Sequence, residues 1–172
     1  MTRRRLWQVA LALGLAGCGD DVSASIAAPA PADPGGAFQI TPAKTTYTWE
    51  ELAFTGTGLV ATVKNRSGTD WYANVGDAFN GALEQPQISI ANGTDAALEL
   101  RGSDGSWSAL DAGVLVEGSR FVVLRAGKQY ELRGNFSGAR RTGTARVRFR
   151  YWPSASATGT PVVEYSASFT VR

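Results

Sequence analysis

From Phe38 to Arg172, apolar and polar positions alternate in short runs, separated by Gly, Asn, Asp and Ser about every ten residues. Along 59–64, Leu59, Ala61 and Val63 fall on one face. Along 129–133, Tyr130 and Leu132 oppose Gln129, Glu131 and Arg133. The last part of the chain alternates most regularly. Val147, Phe149 and Tyr151 interleave with Arg146, Arg148 and Arg150. Val163, Tyr165, Ala167, Phe169 and Val171 interleave with Glu164, Ser166, Ser168 and Thr170. Period-two runs predict strands with one buried and one wet face, as in antiparallel sheets. From residue 18 onward, no stretch of ten or more residues carries a 3.6-residue stripe, so the fold expected is all-β, a sandwich or barrel.

The turn chemistry suggests connections. Asn65-Arg66-Ser67-Gly68-Thr69-Asp70 predicts a reversal that makes 59–75 a hairpin. Asn92-Gly93 favours positive φ and joins Ile88–Ile90 to Ala96–Arg101. A third hairpin joins the 146–151 and 163–171 runs through the small, polar loop from Pro153 to Pro161. Thr45–Trp49 reads as an early edge strand. Arg120–Leu124 and Gln129–Phe136 flank Ala126-Gly127, and Trp107 enters the core or a strand edge after the turn Ser103–Ser106.

The amino terminus departs from this texture. Arg3, Arg4 and Arg5 precede an apolar run from Leu6 to Leu15, and the single cysteine, Cys18, follows. The run is about ten residues long, against roughly 20 for a membrane-spanning helix. Its layout is that of a cleaved signal peptide. Leu15-Ala16-Gly17-Cys18 resembles the lipobox of bacterial lipoproteins. That resemblance implies a diacylglyceryl thioether on Cys18, cleavage before it, and acylation of the new amino terminus. A thiolate is the nucleophile such chemistry requires, and two or three acyl chains hold a protein durably on a membrane. Gly19, where an Asp in that family often means inner-membrane retention, implies an outer-membrane address. The plainer alternative is a secretory signal with an incidental cysteine. Gly19–Gly36, with Ala28-Pro29-Ala30-Pro31-Ala32-Asp33-Pro34, is too poor in apolar bulk to pack and reads as a disordered, semi-extended linker. The expected organisation is a signal peptide over 1–17, a lipidated Cys and flexible linker over 18–37, and one β-sandwich domain over 38–172.

Charge changes once the leader is set aside. The whole chain carries 17 basic and 15 acidic residues; without the three leader arginines, 14 bases face 15 acids, a net charge of −1. A near-neutral chain argues against nucleic-acid partners. There is no histidine and no second cysteine. The usual proton shuttle, a Ser-His-Asp or Cys-His arrangement, a Cys/His zinc cage and a disulfide are therefore excluded. Lys44, Lys64 and Lys128 do not follow a serine at the Ser-x-x-Lys spacing. No cofactor is expected, and the domain is expected to be non-catalytic. Paired carboxylates hydrolyse glycosides without histidine, but Asp70, Asp77 and Glu99 show no recognisable spacing. Asp77 and Asp104 lack the run of ligands of a calcium loop, and a turn explains Asp104.

Two constellations have binding chemistry. Arg146, Arg148 and Arg150 share a strand face at about 7 Å spacing, with Arg140 and Arg141 near in sequence. They suit lipid headgroups, acidic glycans or an acidic partner, or else form a solvated face paired across the hairpin with Glu164. Trp49, Trp71, Trp107 and Trp152 suit either a sugar-stacking platform or core packing. Trp152, next to Pro153, is the one expected to be most exposed.

Four stretches, Ala61–Ser67, Leu98–Arg101 ahead of Gly105-Ser106-Trp107, Leu124–Lys128 and Gly143–Tyr151, resemble the immunoglobulin-like sandwiches of bacterial secreted proteins and lipoproteins. Ala126-Gly127 stands where relatives often have Pro-Gly, and the paired cysteines of antibody domains are missing. The resemblance implies a fold and no particular activity. The function expected is a structural or interaction domain tethered through Cys18 to the outer membrane, with an envelope protein or a glycan as partner. The alternatives are a carbohydrate-binding module and, more remotely, a carboxylate glycoside hydrolase.

Overall fold

The computed structural model describes residues 36–75, 87–112 and 121–172. Cys18 with the leader and nearly all of the linker, as well as Asp77 and Arg120, lie outside the described residues. The described chain is an all-β sandwich with twelve strands and one four-residue helix. One sheet orders β1 (Phe38–Pro42), β3 (Leu59–Asn65), β9 (Gln129–Gly134) and β5 (Gln87–Ser89) as β1-β3-β9-β5. The other runs β2 (Thr46–Tyr47), β12 (Phe169–Val171), β10 (Gly143–Tyr151), β6 (Ala96–Arg101), β7 (Trp107–Ala109), with β11 (Val162–Tyr165) also on β10. β4 (Trp71–Asn74) and β8 (Phe121–Leu124) form a small third sheet. It meets the end of β10 through reciprocal backbone hydrogen bonds between Tyr72 and Trp152.

The alternation read from the sequence sets the core. Leu59, Ala61 and Val63 of β3, Tyr130 and Leu132 of β9, and Val147, Phe149 and Tyr151 of β10 are all buried in one cluster. The sheets meet there: Phe38 of β1 lies 5.5 Å from Phe149 and 4.7 Å from Tyr151, ring centre to ring centre. Thr45–Trp49 yields the edge strand β2. The chain then turns into α1 (Trp49–Leu52), started by a capping box in which Thr48 Oγ1 accepts from Glu51 N–H and the Glu51 carboxylate accepts from Thr48 N–H.

Two expected hairpins are instead crossings between sheets. β3 pairs with β1 and β9, whereas β4 pairs with β8. Asn65 makes that crossing possible. Its side chain, fully buried, donates to Thr69 C=O and Leu124 C=O and accepts from Ser67 N–H, so backbone groups of the turn are satisfied without a hairpin ladder. Likewise β5 pairs in parallel with β9, whereas β6 pairs with β10 and β7. Gly93 has the expected positive φ of 87°, but the turn carries the chain from one sheet to the other. β2 also pairs in parallel, with β12, so the sandwich is mixed rather than wholly antiparallel. Turn residues specify a reversal and say nothing of which strand receives the chain afterwards.

The hairpin of β10 with β11 forms as expected, in the register Arg148↔Tyr165 and Phe149↔Glu164. The run 163–171 is nevertheless not one strand. Farther along β10, Ala145 pairs with Phe169, which requires one extra residue between β11 and β12. This is a β-bulge. Ser166, itself buried, fills it: its N–H donates to Val147 C=O and its Oγ accepts from Val147 N–H at 2.9 Å. The one-residue slip inverts the expected faces of β11. Val163 and Tyr165, expected inside, are 39% and 38% exposed. Glu164, opposite the buried Phe149, turns toward the sandwich. There it accepts from the N–H groups of Ala37 and Phe38 and from the Tyr151 hydroxyl.

Candidate functional site

β10 turns Arg146, Arg148 and Arg150 outward because Val147, Phe149 and Tyr151 occupy its inner side. The sequence reading that pairs these cations with Glu164 is corrected by the bulge. Their acids come from the opposite flank, from β6 and the residue before it. Arg146 lies opposite Glu99; its Nη2 is 2.8 Å and its Nε 2.9 Å from Glu99 Oε2. Arg148 reaches the other oxygen of the same carboxylate, with Nε 3.3 Å from Oε1. Among the described residues, that Nε is the one buried side-chain nitrogen or oxygen making no hydrogen bond. Two guanidiniums thus share one carboxylate.

Arg150 Nε donates to Asp95 Oδ1. The Asp95 side chain is 1% exposed. Its Oδ2 accepts from Asn74 N–H at 2.6 Å and from the Trp152 indole N–H at 3.0 Å. Asp95 also joins the backbones of β4 and β10, donating its N–H to Asn74 C=O and accepting at its C=O from Arg150 N–H. It is the hub that holds the small sheet to the large one.

Aromatic rings alternate with these cations. The Arg146 guanidinium carbon is 4.1 Å from the Trp107 ring centre and 3.7 Å from that of Tyr165. Arg146 is therefore held between two π faces, contacts worth about 0.5–2 kcal/mol each. Arg150 lies 5.6 Å from the Trp152 ring. Val163 stands opposite Arg150 and Tyr165 opposite Arg148. The outer face of the larger sheet is thus a band of arginine and aromatic side chains, edged by the exposed residues of β11. Arg148 and Arg150 keep 36% and 40% of their side-chain surface in water, whereas Glu99 and Asp95 lie beneath them at 10% and 1%. Charge of one sign faces solvent over buried charge of the other. Arg140 contributes elsewhere, 3.4 Å from Glu50.

The other sequence candidates have structural tasks. Asp70 accepts from Ala126 N–H at 2.8 Å and from Arg125 Nη1 at 2.7 Å; the backbone bond first, then the guanidinium, hold its carboxyl below the usual range. Asp104 accepts from Ser106 Oγ and N–H, again lowering its carboxyl. A general acid needs the opposite shift. No group of three or more His, Cys, Asp or Glu among the described residues is disposed to hold a metal ion. Trp49 is buried. Trp71 stacks edge-on against Tyr151 and donates its indole N–H to Ser67. Trp107 stands half-buried on edge strand β7. Trp152, expected to be the most exposed, is half-buried, edge-on to Phe121.

Sequence reasoning missed Asp95, Tyr165 and Val163 as members of this face. Asp95 follows Asn92-Gly93-Thr94 and reads as one more turn residue. For Tyr165 and Val163, the one available signal was the cluster Ser166-Ala167-Ser168 inside an otherwise β-rich run. No protein-family model matches the chain, and no curated protein or solved structure is significantly similar to it.

Proposed function

We propose that this chain is a lipid-anchored protein of the bacterial envelope, probing or holding its surroundings through a non-catalytic immunoglobulin-like interaction domain. The anchor rests on Leu15-Ala16-Gly17-Cys18 behind Arg3–Arg5 and an apolar run too short to span a bilayer. The interaction role rests on one observation: the outer face of the β6–β10–β11 sheet concentrates Arg, Trp and Tyr. Those residue types are enriched at binding hot spots because they combine large contact area with directed polar groups. Here the guanidiniums are held in place by rings and buried carboxylates, so binding costs little side-chain entropy.

A glycan platform has less support. The four tryptophans of the domain are each engaged by the chain itself: one in the core, one against Tyr151, one over Arg146 and one against Phe121 and Asp95. The test of the anchor is metabolic labelling with an alkyne fatty acid. The wild-type protein becomes labelled and needs detergent for extraction, and Cys18→Ser abolishes both. An unlabelled wild-type chain that extracts without detergent overturns the reading. The test of the interaction face is a photocrosslinking amino acid in place of Tyr165. It should give adducts in intact cells that the same residue in place of Lys64, on the other sheet, does not. Identical patterns at both positions count against it.

A further inference from the structure

The start of the tether lies against β11, the strand that edges the arginine–aromatic face, and that placement points to an occupant. Gly36, the first described residue, sits directly over the Glu164 carboxylate: a Cβ built on it would lie 2.5 Å from Glu164 Cδ. The next two residues donate their N–H groups to the same carboxylate, at 2.8 and 2.9 Å. Glu164 belongs to β11, between Val163 and Tyr165. The chain that leads back to Cys18 therefore leaves the domain at the strand that edges the cationic face. A segment as long as Cys18–Gly35 can reach at most about 60 Å.

We propose that this face docks on an anionic phospholipid headgroup surface, on the same membrane as the anchor. The proposal rests on the lipid-anchor reading above and names the partner of that face. Three features fit headgroups. Arg146, Arg148 and Arg150 stand over only two carboxylates, both turned beneath them, so positive charge faces outward; Arg148 shares its acid with Arg146 and keeps 36% of its side-chain surface in water, open to a phosphate. Trp and Tyr rings interleaved with arginine suit the boundary between headgroups and acyl chains. Of the four exposed large hydrophobic residues of the described chain, three lie on β11, and two of these, Val163 and Tyr165, stand opposite Arg150 and Arg148. A protein partner would use the same side chains, but it gives no reason for the tether to start against the strand that edges them.

The test uses the full lipidated chain in vesicles. With Cys18 acylated, Val163→Cys supplies the only free thiol and is labelled with an environment-sensitive fluorophore; Lys64→Cys, on the opposite sheet, is the control. In phosphatidylglycerol vesicles at low salt, the label at 163 should shift to the blue while the label at 64 stays in water. Phosphatidylcholine vesicles, or raising the salt, should release the face. Adding Arg148→Gln should lower the docked-to-free ratio about fivefold, the effect of one cation at an anionic surface. Arg148→Lys should restore it, because a phosphate surface reads charge. Arg146 remains on Glu99 in these variants, so unchanged thermal unfolding separates lost docking from lost folding. Equal emission at 163 and 64, or a shift at 163 that is the same in phosphatidylcholine, overturns the proposal. So does a shift that appears only when a second envelope protein is added. Failure of Cys18 to take up fatty acid strikes the anchor reading instead, and the labelled chain added from solution to preformed vesicles then tests the face alone.

Discussion

Asp95→Ala should be among the most damaging single substitutions in the domain. The carboxylate is 1% exposed and holds three donors: Asn74 N–H, the Trp152 indole N–H and Arg150 Nε. Truncation removes the acceptor of the two N–H groups, each costing about 1–3 kcal/mol. Arg150, 40% exposed, turns to water and adds little. The expected loss is about 3–5 kcal/mol, a large share of the roughly 5–15 kcal/mol that holds a domain together. For a domain of this size that lowers Tm by about 10–15 °C. Asp95→Asn separates the two contributions. Both N–H groups bond the same oxygen, Oδ2, so an asparagine with its carbonyl there retains them and turns its amide toward Arg150. Its loss should be about half that of the alanine variant or less. Urea unfolding followed by tryptophan fluorescence measures both. A loss below about 1 kcal/mol for Asp95→Ala, or equal losses for the two variants, refutes the reasoning; the second result would mean that the charge pair outweighs the two acceptors.

Further outcomes follow from the same geometry. Ser166→Ala removes the acceptor of the buried Val147 N–H in the bulge and should cost about 1–3 kcal/mol in urea unfolding, with the slope unchanged. Burial first, then the bond to Glu164, raise the Tyr151 phenol above its ordinary range. Its stabilising effect is therefore complete below about pH 10 and is lost as pH rises through the raised value, so Tyr151→Phe should flatten the alkaline fall in stability measured by circular dichroism. Asp70 runs the other way. The Ala126 N–H and then Arg125 depress its carboxyl, so its contribution is present above about pH 4 and lost as pH falls through the lowered value. Asp70→Asn should show a shallower acid limb in unfolding experiments from pH 6 downward.

The parts of the fold that were legible in the sequence are those decided within one strand. Alternation along β3, β9 and β10 identifies the buried positions because burial of one face imposes a period of two on any strand, whatever its neighbours. Pairing is different. Asn65–Asp70 and Asn92-Gly93 contain the residues a tight hairpin uses, yet both carry the chain across the sandwich. What decides between a hairpin and a crossing is the partner on arrival, β8 for β4 and β10 for β6, and those partners lie dozens of residues away. The arginine row was legible as a face. Its acids were not, since Glu99 and Asp95 reach it through the β6–β10 register, a nonlocal fact. The sequence pattern also favoured Glu164, which the turn from β10 to β11 brings to the correct strand and then the wrong side.

That misplacement accounts for the chemistry of the face. In a strand kept in one register from 163 to 171, Phe169 and Val171 face the core, and Val163 and Tyr165 follow them inward. Glu164 would then stand outside, beside Arg148 and Arg150, and three cations would meet three carboxylates on a neutral surface. The extra residue accommodated at Ser166 exchanges these positions without disturbing Phe169 or Val171. The acid goes inside, where two backbone N–H groups at the start of β1 and the Tyr151 hydroxyl satisfy it, and an aromatic ring comes out to stack on Arg146. One local insertion thus produces the surplus of positive charge, supplies the ring that orders it, and fixes the entry of the tether at the same strand. A surface meant only for solubility has no use for such an arrangement, because mixed, mutually neutralising charges serve that purpose better.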